Sequence, residues 1–451
     1  MKGYGLVLAG GGARGSYEIG VWKALRELNI PIIAVTGTSV GALNGAMVVQ
    51  GDFDTAYSMW SSLSVGDVIE LQRDIKSISD LYKYPMEILS AIKNAITSGG
   101  LDITPLSNLL HNVIDEDRVR HSHIDFGLVT FSLTDLEAKE LFKEDIPKGS
   151  LIDYLLASAC FPSFKPIEID NKKFIDGGVY NNVPISLMLK KNIRNLIVVD
   201  ISQDGLPRDI DLSKLNIIHI KNSEDLGKVL DFNGEQSKLN MELGYLDALK
   251  AFDRLKGNNY YLSDIPDRHA KEFIIVPSHL EDIYSIIGVK YSDALLPLNK
   301  MIIKKLYKLI RKNMVKDIVK DKGSRVSFVT SMAEITANHF NINRRDIYAL
   351  QDINKIILDR YTDIINRDDF KEHIDELLLA ISNIKEADIA KTLKNMPVLM
   401  EFLPIYLCDP RLEGEDIDRL RRMVAMAIPS ISVSSIYIYL LLSNAEKKEL
   451  I

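Results

Sequence analysis

A serine flanked by glycines stands where an apolar run gives way to a helical pattern. Residues Gly37–Gly41 spell GTSVG, which fits GxSxG, between the apolar run 32–35 and a helical stretch over 42–50. A sharp strand-to-helix turn of this kind exposes a serine hydroxyl, and the glycines leave room for the turn. The pattern predicts Ser39 as the nucleophile of an acyl transfer. The alternative is a serine that caps a helix in a tight turn.

A second glycine-rich stretch, Gly10–Gly15, follows the first apolar run. It also fits G-x-G-x-x-G, but a dinucleotide-binding loop expects an acidic residue at the end of the second strand, and none occurs here. No Lys-Ser or Lys-Thr pair follows the glycines, as a P-loop would require. An oxyanion hole formed by the N–H groups of Gly10, Gly11 and Gly12 fits better. Arg14 either supports an anion or braces the loop through a salt bridge.

A serine nucleophile needs a base, and none of the eight histidines follows a late strand with an evident acidic partner. In an α/β-hydrolase the serine lies in mid-chain, with the acid and the histidine after it, whereas here it is residue 39. The candidate base is Asp176, within the sequence FIDGG at 174–178. A short strand would deliver its carboxylate, and the two glycines would let the backbone turn. The alternative is an ordinary Asp-Gly turn.

Together, these three motifs resemble those of patatin-like phospholipases. The glycine loop at 10–15, the GxSxG turn at 37–41 and Asp176-Gly177-Gly178 agree with that family in type, order and spacing. Three further segments are similar, namely 99–106, 157–162 and Gly244-Tyr245. The resemblance covers roughly residues 1–285. It departs from the family at Cys160-Phe161, where alanine usually precedes the proline, and this change touches the wall of the acyl pocket at most.

The resemblance implies a Ser-Asp dyad on an α/β sheet related to that of other serine acyl hydrolases, with no calcium, other metal or cofactor. Ser39 would attack the acyl carbonyl with help from Asp176, and the amides of the glycine loop would hold the oxyanion. Water activated by Asp176 would then hydrolyse an acyl-Ser39 intermediate. The supporting residues are Arg14, Gly15, Gly37, Gly41, Gly177 and Gly178. The helical stretch around 88–96 is a candidate lid or lipid-facing surface, with a core helix as the commoner use of such a pattern.

The remaining pattern predicts an α/β domain followed by helices. Apolar runs without polar alternation are separated by helical stretches, which indicates a mostly parallel central sheet flanked by helices. Strands are predicted at 4–8, 32–35, 126–131, 174–175, 196–200, 216–220 and 273–276, and a late helix at 244–255. After about residue 285, glycines and strand patterns become rare. We therefore expect a patatin-like acyl hydrolase domain at 1–285 and an all-helical C-terminal domain at 286–451.

Charge and composition limit the classes of partner. The 451 residues include 62 acidic and 55 basic side chains, a net charge of −7, which disfavours nucleic-acid binding. Cys160 and Cys408 belong to no CxxC pair, and a reducing compartment fits them better than a disulfide does. No targeting segment is expected at the N-terminus. We expect a cytoplasmic protein that acts on a lipid or acyl ester; the sequence specifies no oligomeric state.

Two stretches leave peripheral contact with a membrane surface open. Residues 423–445 carry no charge but contain Pro429 and five serines, which favours a buried helix or helical hairpin over a membrane span. Residues 300–325 hold ten basic side chains against two acidic ones. Four apolar residues share one face of this segment: Ile302, Leu306, Leu309 and Ile310. That helix either lies at a membrane surface or packs on the main domain.

These observations predict a calcium-independent lipid acyl hydrolase of the phospholipase A or lysophospholipase type. The alternative is a non-enzymatic nucleotide-binding or interaction module that uses the Gly10–Gly15 loop. The two differ in whether Ser39 reacts with an acyl ester.

Overall fold

The computed structural model of the chain describes residues 3–70, 100–202, 205–263, 277–314, 325–382 and 397–449. It divides into two compact units, Met1–Phe252 and Asp253–Ile451. Composition predicts a boundary near residue 285, further along the chain. The structural division falls earlier because the side chains of Tyr260 and Leu262 are buried in the apolar core of the second unit.

The first unit is built on an eight-stranded sheet. Its strands are β1 (Tyr4–Leu8), β2 (Ile32–Thr38), β3 (Asp125–Ser132), β4 (Glu137–Phe142), β5 (Ile167–Ile169), β6 (Lys172–Asp176), β7 (Asn195–Asp200) and β8 (Asn216–Lys221). The order is β5-β6-β3-β2-β1-β7-β8, and β4 also pairs with β3. Strands β3, β2, β1, β7 and β8 run parallel, whereas β4, β5 and β6 join through antiparallel pairs. The prediction of a mostly parallel sheet is confirmed.

Helices flank this sheet. They are α1 (Ser16–Glu27), α2 (Val40–Gln50), α3 (Phe53–Ser62), α4 (Thr104–Val113), α5 (Glu116–His121), α6 (Leu151–Ser158), α7 (Ile185–Lys190) and α8 (Gly234–Ala251). Helix α1 packs closely on α8, since a Cβ atom at Gly20 would lie 1.8 Å from the carbonyl oxygen of Met241. The central strands β1 and β7 are buried along nearly their whole length. This burial explains why their sequences are apolar without alternation.

Most predicted strands of the first unit are observed within a few residues of their expected bounds. Strands β4 and β5 are not predicted from the sequence. The sequence EAKELF of β4 is too polar to show a strand pattern, and β5 has only three residues. Helix α8 starts ten residues before the predicted helix at 244–255 and ends at Ala251. The predicted strand at 273–276 and the candidate lid at 88–96 lie outside the described residues.

The second unit is mainly helical, as predicted. Its helices are α9 (Pro277–Ile286), α10 (Pro297–Lys312), α11 (Arg325–His339), α12 (Leu350–Ile365), α13 (Phe370–Ser382), α14 (Pro397–Leu407), α15 (Glu415–Ala427) and α16 (Pro429–Glu449). A short parallel pair joins β9 (Tyr261–Leu262) to β10 (Ile347–Tyr348). These elements share one apolar core, so the unit has a folding core of its own.

The uncharged stretch at 423–445 spans the end of α15 and most of α16. The helices are separated by a bend of 118° at Ile428 and Pro429. Many side chains of α16, including Val433, Tyr437 and Ile438, are buried in the core of this unit. Among the described helices, none alone has the length and apolarity of a membrane span, although α15 and α16 pass that test as a bent pair.

Candidate active site

Ser39 lies at the junction between β2 and α2, with φ 56° and ψ −130°. This conformation is rare for a residue with a side chain and costs on the order of 1–3 kcal/mol. The turn is tight, because a Cβ atom at Gly41 would lie 2.4 Å from the carbonyl oxygen of Leu8. A side chain at Gly37 would likewise collide with the Gly41 backbone. Both glycines that flank Ser39 are therefore required by close backbone approach, as the sequence predicts.

The strand register explains how Asp176 comes close to Ser39. Strand β3 lies between β2 and β6, with Thr38 opposite Val129 and Asp176 opposite the next residue, Thr130. Strand β6 runs antiparallel to β3 and so ends level with the end of β2. Gly177 then passes directly over β3, where an added Cβ atom would lie 2.3 Å from the Val129 carbonyl oxygen. The Asp-Gly-Gly sequence thus lets the chain turn away while the carboxyl group stays beside Ser39.

The carboxyl group of Asp176 is buried, and its pKa is raised from 3.8 to about 6. The main cause is loss of hydration on burial, which disfavours the charged form. Two hydrogen bonds oppose the rise, one from the Ser39 side chain and one from the Gly178 N–H group at 2.7 Å. A carboxylate with this pKa in contact with a hydroxyl group has the position and basicity of a general base near neutral pH.

The glycine loop places backbone donors beside Ser39, but only some of them are free. The Gly10 N–H group donates to the Asn182 carbonyl oxygen at 3.1 Å, so it differs from the predicted role as an oxyanion donor. Within the described part of the chain, the N–H groups of Gly11 and Gly12 donate no hydrogen bond. Gly12 has φ +57°, and a Cβ atom there would lie 2.1 Å from the Val229 carbonyl oxygen. The available donors of this loop are therefore the second and third glycines.

Arg14 braces the glycine loop and also faces the site. Its Nε donates to the Gly227 carbonyl oxygen at 2.8 Å. No acidic partner pairs with Arg14 among the described residues. The loop is therefore braced by the hydrogen bond to a backbone carbonyl and not by the predicted salt bridge. Gly15 closes the loop against α2, since its missing Cβ leaves room for the Val40 side chain. The arginine thus keeps a positive charge at the site.

These elements open onto one cavity of about 440 Å³, a normal size for a small-molecule site. Ser39, Asp176, Gly10, Gly11, Gly12, Arg14 and Gly178 all line it. The rest of its wall is mostly apolar: Leu43, Met47, Met59, Leu63, Val68, Leu106, Leu109, Leu110, Val113, Ile114, Phe161, Phe164, Val229, Leu230 and Phe232. No described histidine lines this cavity. A hydroxyl and a carboxyl group therefore meet at the polar end of an otherwise apolar chamber.

Cys160 lies beside this wall and does not itself line it, whereas Phe161 does. The cysteine is buried, its pKa is raised to about 12 by loss of hydration, and its backbone carbonyl accepts from the Asp176 N–H group. Both Cys160 and Cys408 are free thiols. The departure from the family pattern at position 160 thus leaves the Ser39–Asp176 arrangement in place.

Sequence reasoning missed Ser158, which holds the turn at Ser39. Its hydroxyl oxygen accepts from the Ser39 N–H group at 3.0 Å and donates to the Val129 carbonyl oxygen at 2.6 Å. This serine is fully buried. The sequence draws attention to Ser158 only through its place in the segment 157–162. That segment is similar to one in the family, but the similarity assigns no role to this serine.

A second missed feature is a polar network at the end of β7. The Ser202 hydroxyl lines the cavity and donates to Asp200 Oδ1 at 2.7 Å, while Asp200 Oδ2 lies 3.3 Å from His219 Nε2. The serine contacts the carboxylate rather than the imidazole, so these residues do not form a serine–histidine–acid triad. Buried Asn44 in α2 belongs to a separate set of contacts, because its side-chain amide donates to the Gly15 carbonyl oxygen and to Glu18 Oε2.

Replacing Ser158 with alanine is expected to lower both stability and turnover. The change leaves the Ser39 N–H and Val129 C=O groups without their buried partner, which costs about 1–3 kcal/mol of unfolding free energy. Ser39→Ala, which keeps this hydrogen bond, and Ser62→Ala, which changes an exposed serine, are the controls. Denaturant unfolding measures the loss. An unfolding free energy equal to that of Ser62→Ala would show that the hydrogen bond does not hold the turn.

Replacing Gly12 with alanine is expected to reduce turnover about 100-fold or more, because a displaced oxyanion donor costs at least that much. Gly51→Ala is a matched control, since Gly51 also has a positive φ of +78° but has open space where the Cβ would go. That change is expected to cost about 1 kcal/mol of stability with turnover unchanged. Equal turnover in the two variants, measured with a monomeric ester, would show that Gly12 does not contribute to the reaction.

Among the described residues, no group of three or more His, Cys, Asp or Glu side chains is placed to hold a metal ion. The arrangement of strand, tight turn and helix around Ser39, with Asp176 opposite, has the geometry that serine-dependent acyl transfer on an α/β sheet would require.

Comparison with known proteins agrees with this geometry. Residues 6–189 match the family model "Patatin-like phospholipase". The chain therefore carries a patatin-like phospholipase domain at residues 6–189, which confirms the resemblance drawn from its motifs.

Several known proteins are similar to part of the chain. Patatin-like phospholipase domain-containing protein 6 of Mus musculus is 28% identical over 204 residues, which is 44% of this chain and 14% of that protein. Neuropathy target esterase sws of Drosophila melanogaster is 25% identical over 304 residues, covering 64% of this chain and 20% of that protein. An uncharacterized NTE family protein of Mycobacterium tuberculosis is 27% identical over 207 residues, covering 46% and 31%. The chain thus spans less than a third of each relative.

Two solved structures resemble the whole chain weakly. VipD from Legionella pneumophila has a TM-score of 0.37 at 13% identity, covering 96% of this chain and 92% of that one. The type III effector protein ExoU has a TM-score of 0.28 at 13% identity, covering 95% and 94%. Likeness at this level adds nothing to the assignment of the site.

Proposed function

We propose that this protein is a calcium-independent lipid acyl hydrolase of the phospholipase A or lysophospholipase type. The observation that carries the proposal is that the Ser39 hydroxyl and the Asp176 carboxyl share one apolar cavity with the free amides of the glycine loop. The patatin-like phospholipase domain at residues 6–189 supports the same class of reaction.

In the first half of the proposed reaction, Ser39 Oγ attacks the acyl carbonyl carbon and its proton passes to Asp176. The N–H groups of Gly11 and Gly12 hold the oxyanion of the tetrahedral intermediate, and each such donor contributes about 3–4 kcal/mol. The C–O bond to the alcohol then breaks. Asp176 returns its proton to the departing oxygen, and the acyl group stays on Ser39 as an ester.

In the second half, water attacks the acyl-Ser39 ester. Asp176 takes a proton from the water, the same amides hold the second oxyanion, and the proton returns to Ser39 Oγ as the fatty acid leaves.

The apolar wall formed by residues such as Met47, Leu110 and Phe232 suits an acyl chain better than a polar substrate. Free, buried cysteines also support the proposal of a cytoplasmic location.

The direct test is fatty-acid release from a panel of phosphatidylcholine, lysophosphatidylcholine and a neutral glyceride. Each lipid is incubated with the full chain in the presence of calcium and again with a chelator. We expect release that chelation does not reduce and that Ser39→Ala removes. No release from any member of the panel, from protein that a fluorophosphonate probe labels at Ser39, would show that the acyl donor is not a lipid ester.

A further inference from the structure

Helix α10 and the turn before it expose large apolar side chains at unusual density. Fifteen large hydrophobic side chains are exposed in the described residues, and six of them fall within residues 291–307. They are Tyr291, Leu295, Leu296, Leu298, Met301 and Tyr307. Leu295 is 77% exposed, which is close to full contact with solvent. A cluster of this kind on a folded unit marks an interaction site more often than chance exposure.

These six side chains are not the ones that anchor the helix. The apolar face noted in the sequence packs inward, with Ile302, Leu306 and Ile310 buried in the core of the second unit. That face is therefore not available to a membrane. It packs in the core of the second unit, whereas the sequence alternative placed it on the main domain. The exposed apolar side chains are additional to those needed for folding.

Basic side chains alternate with the exposed apolar ones. Lys300, Lys304, Lys308 and Arg311 recur at intervals of four, four and three residues, on the side of α10 opposite its buried face. No carboxylate pairs with these four or with Lys312 among the described residues. Lys305 is engaged separately, since its ammonium group donates to the Met426 carbonyl oxygen. Residues 291–312 hold six basic side chains and one acidic side chain in a chain whose net charge is −7.

We propose that the exposed side of residues 291–312, here called the docking surface, binds the surface of an anionic lipid bilayer. Unpaired lysines at this density complement anionic headgroups, and each contributes attraction that falls with salt. The leucines and Met301 would enter the headgroup and acyl boundary, and the two tyrosines have the amphipathic character of residues that settle there. An acidic protein would satisfy the charges but would not explain three exposed leucines within four residues of chain.

The proposal can be tested separately from the hydrolase activity by using full-length protein with Ser39→Ala. Sedimentation with phosphatidylcholine vesicles is compared with sedimentation with vesicles that also contain phosphatidylserine. We expect binding to the anionic vesicles that weakens as salt rises, and about tenfold less binding to the neutral ones. Binding in this background does not depend on Ser39 chemistry, so failure of the proposed function leaves the test intact.

Two sets of variants separate the apolar and electrostatic contributions. Leu295→Ser, Leu298→Ser and Met301→Ser combined, and Lys300→Glu, Lys304→Glu and Lys308→Glu combined, are each expected to weaken binding to anionic vesicles at least tenfold. The control combines Lys355→Glu, Arg360→Glu and Lys371→Glu, three exposed basic residues on α12 and α13 that give the same change of net charge. This control is expected to change binding by no more than about threefold.

Thermal unfolding and turnover of a monomeric ester, measured with Ser39 intact, show whether each variant remains folded. The proposal is overturned if folded variants of the docking surface keep their vesicle binding, or if the control loses as much as they do. Equal binding to neutral and anionic vesicles would also contradict it. Capture of an acidic protein by this surface without vesicle binding would assign the surface to a protein partner instead.

Discussion

Replacement of Ser39 by alanine is expected to lower ester turnover by at least about 10⁴-fold while the protein stays folded. In the proposed mechanism the hydroxyl oxygen of Ser39 forms the acyl bond. Ser202, which also lines the cavity, donates its hydroxyl hydrogen bond to Asp200 and not to Asp176. Alanine keeps the backbone conformation of the turn and the hydrogen bond from the residue 39 N–H group to Ser158. Fatty-acid release and thermal unfolding are the measurements.

The same change has a second expected consequence at Asp176. The Ser39 hydroxyl lowers the pKa of this carboxyl, so its removal should raise the pKa above about 6. Ser62→Ala, in an exposed serine of α3, is expected to leave both turnover and the carboxyl pKa unchanged. Turnover of Ser39→Ala at a tenth of the normal rate or more would mean that another group is the nucleophile.

Replacement of Asp176 by asparagine is expected to reduce turnover by about 10²–10⁴-fold, the usual contribution of a general base. Asparagine has the same shape, and its Oδ1 can still accept from the Gly178 N–H group. In the unmodified protein, kcat/KM should rise about tenfold per pH unit below pH 6 and reach a plateau above it, because only the ionised carboxyl accepts a proton. In Asp176→Asn, this rise of kcat/KM below pH 6 should be absent.

The stability of Asp176→Asn is expected to change in the opposite direction from its activity. The folded-state pKa of Asp176 is raised from 3.8 to about 6, so the folded protein holds a proton that the unfolded chain has already released. Stability from this group is therefore lost as pH rises from about 4 to 6, by an amount on the order of 3 kcal/mol. Asparagine carries no charge, so the variant should be the more stable protein at pH 8.

Denaturant unfolding at pH 4 and pH 8 checks this expectation. The difference in unfolding free energy between Asp176→Asn and the unmodified protein should grow in favour of the variant at the higher pH. A variant that is inactive and also less stable at pH 8 would indicate a structural role for the carboxylate rather than a catalytic one.

The turn at Ser39 and the position of Asp176 could be located from sequence because backbone geometry restricts the residues at these points. Gly37 and Gly41 meet other backbone atoms at distances that no side chain permits, and the Asp-Gly-Gly turn crosses β3 just as closely. Strands β1 and β7 are buried on both faces, which leaves an apolar pattern that cannot be mistaken for a loop. These constraints act locally and are therefore visible in a single sequence.

Features that depend on contacts between distant segments could not be predicted. Ser158 holds Ser39 across 119 residues of chain, and nothing in the local sequence marks a serine that accepts such a bond. The Gly10 N–H group is taken by Asn182, which removes one of three equivalent glycines from the expected donors. Strand β4 has the charged sequence EAKELF, and its position is set by pairing with β3 rather than by an apolar pattern.

The most direct test of the central claim is the rate at which a fluorophosphonate probe modifies the protein as a function of pH, with the modified peptide mapped. We predict a single modification at Ser39, at a rate that rises to a plateau above about pH 6. In Asp176→Asn the rate should be far lower and independent of pH in this range. Modification of a different residue, or a pH profile that survives in Asp176→Asn, would contradict the assignment of Ser39 and Asp176 as nucleophile and base.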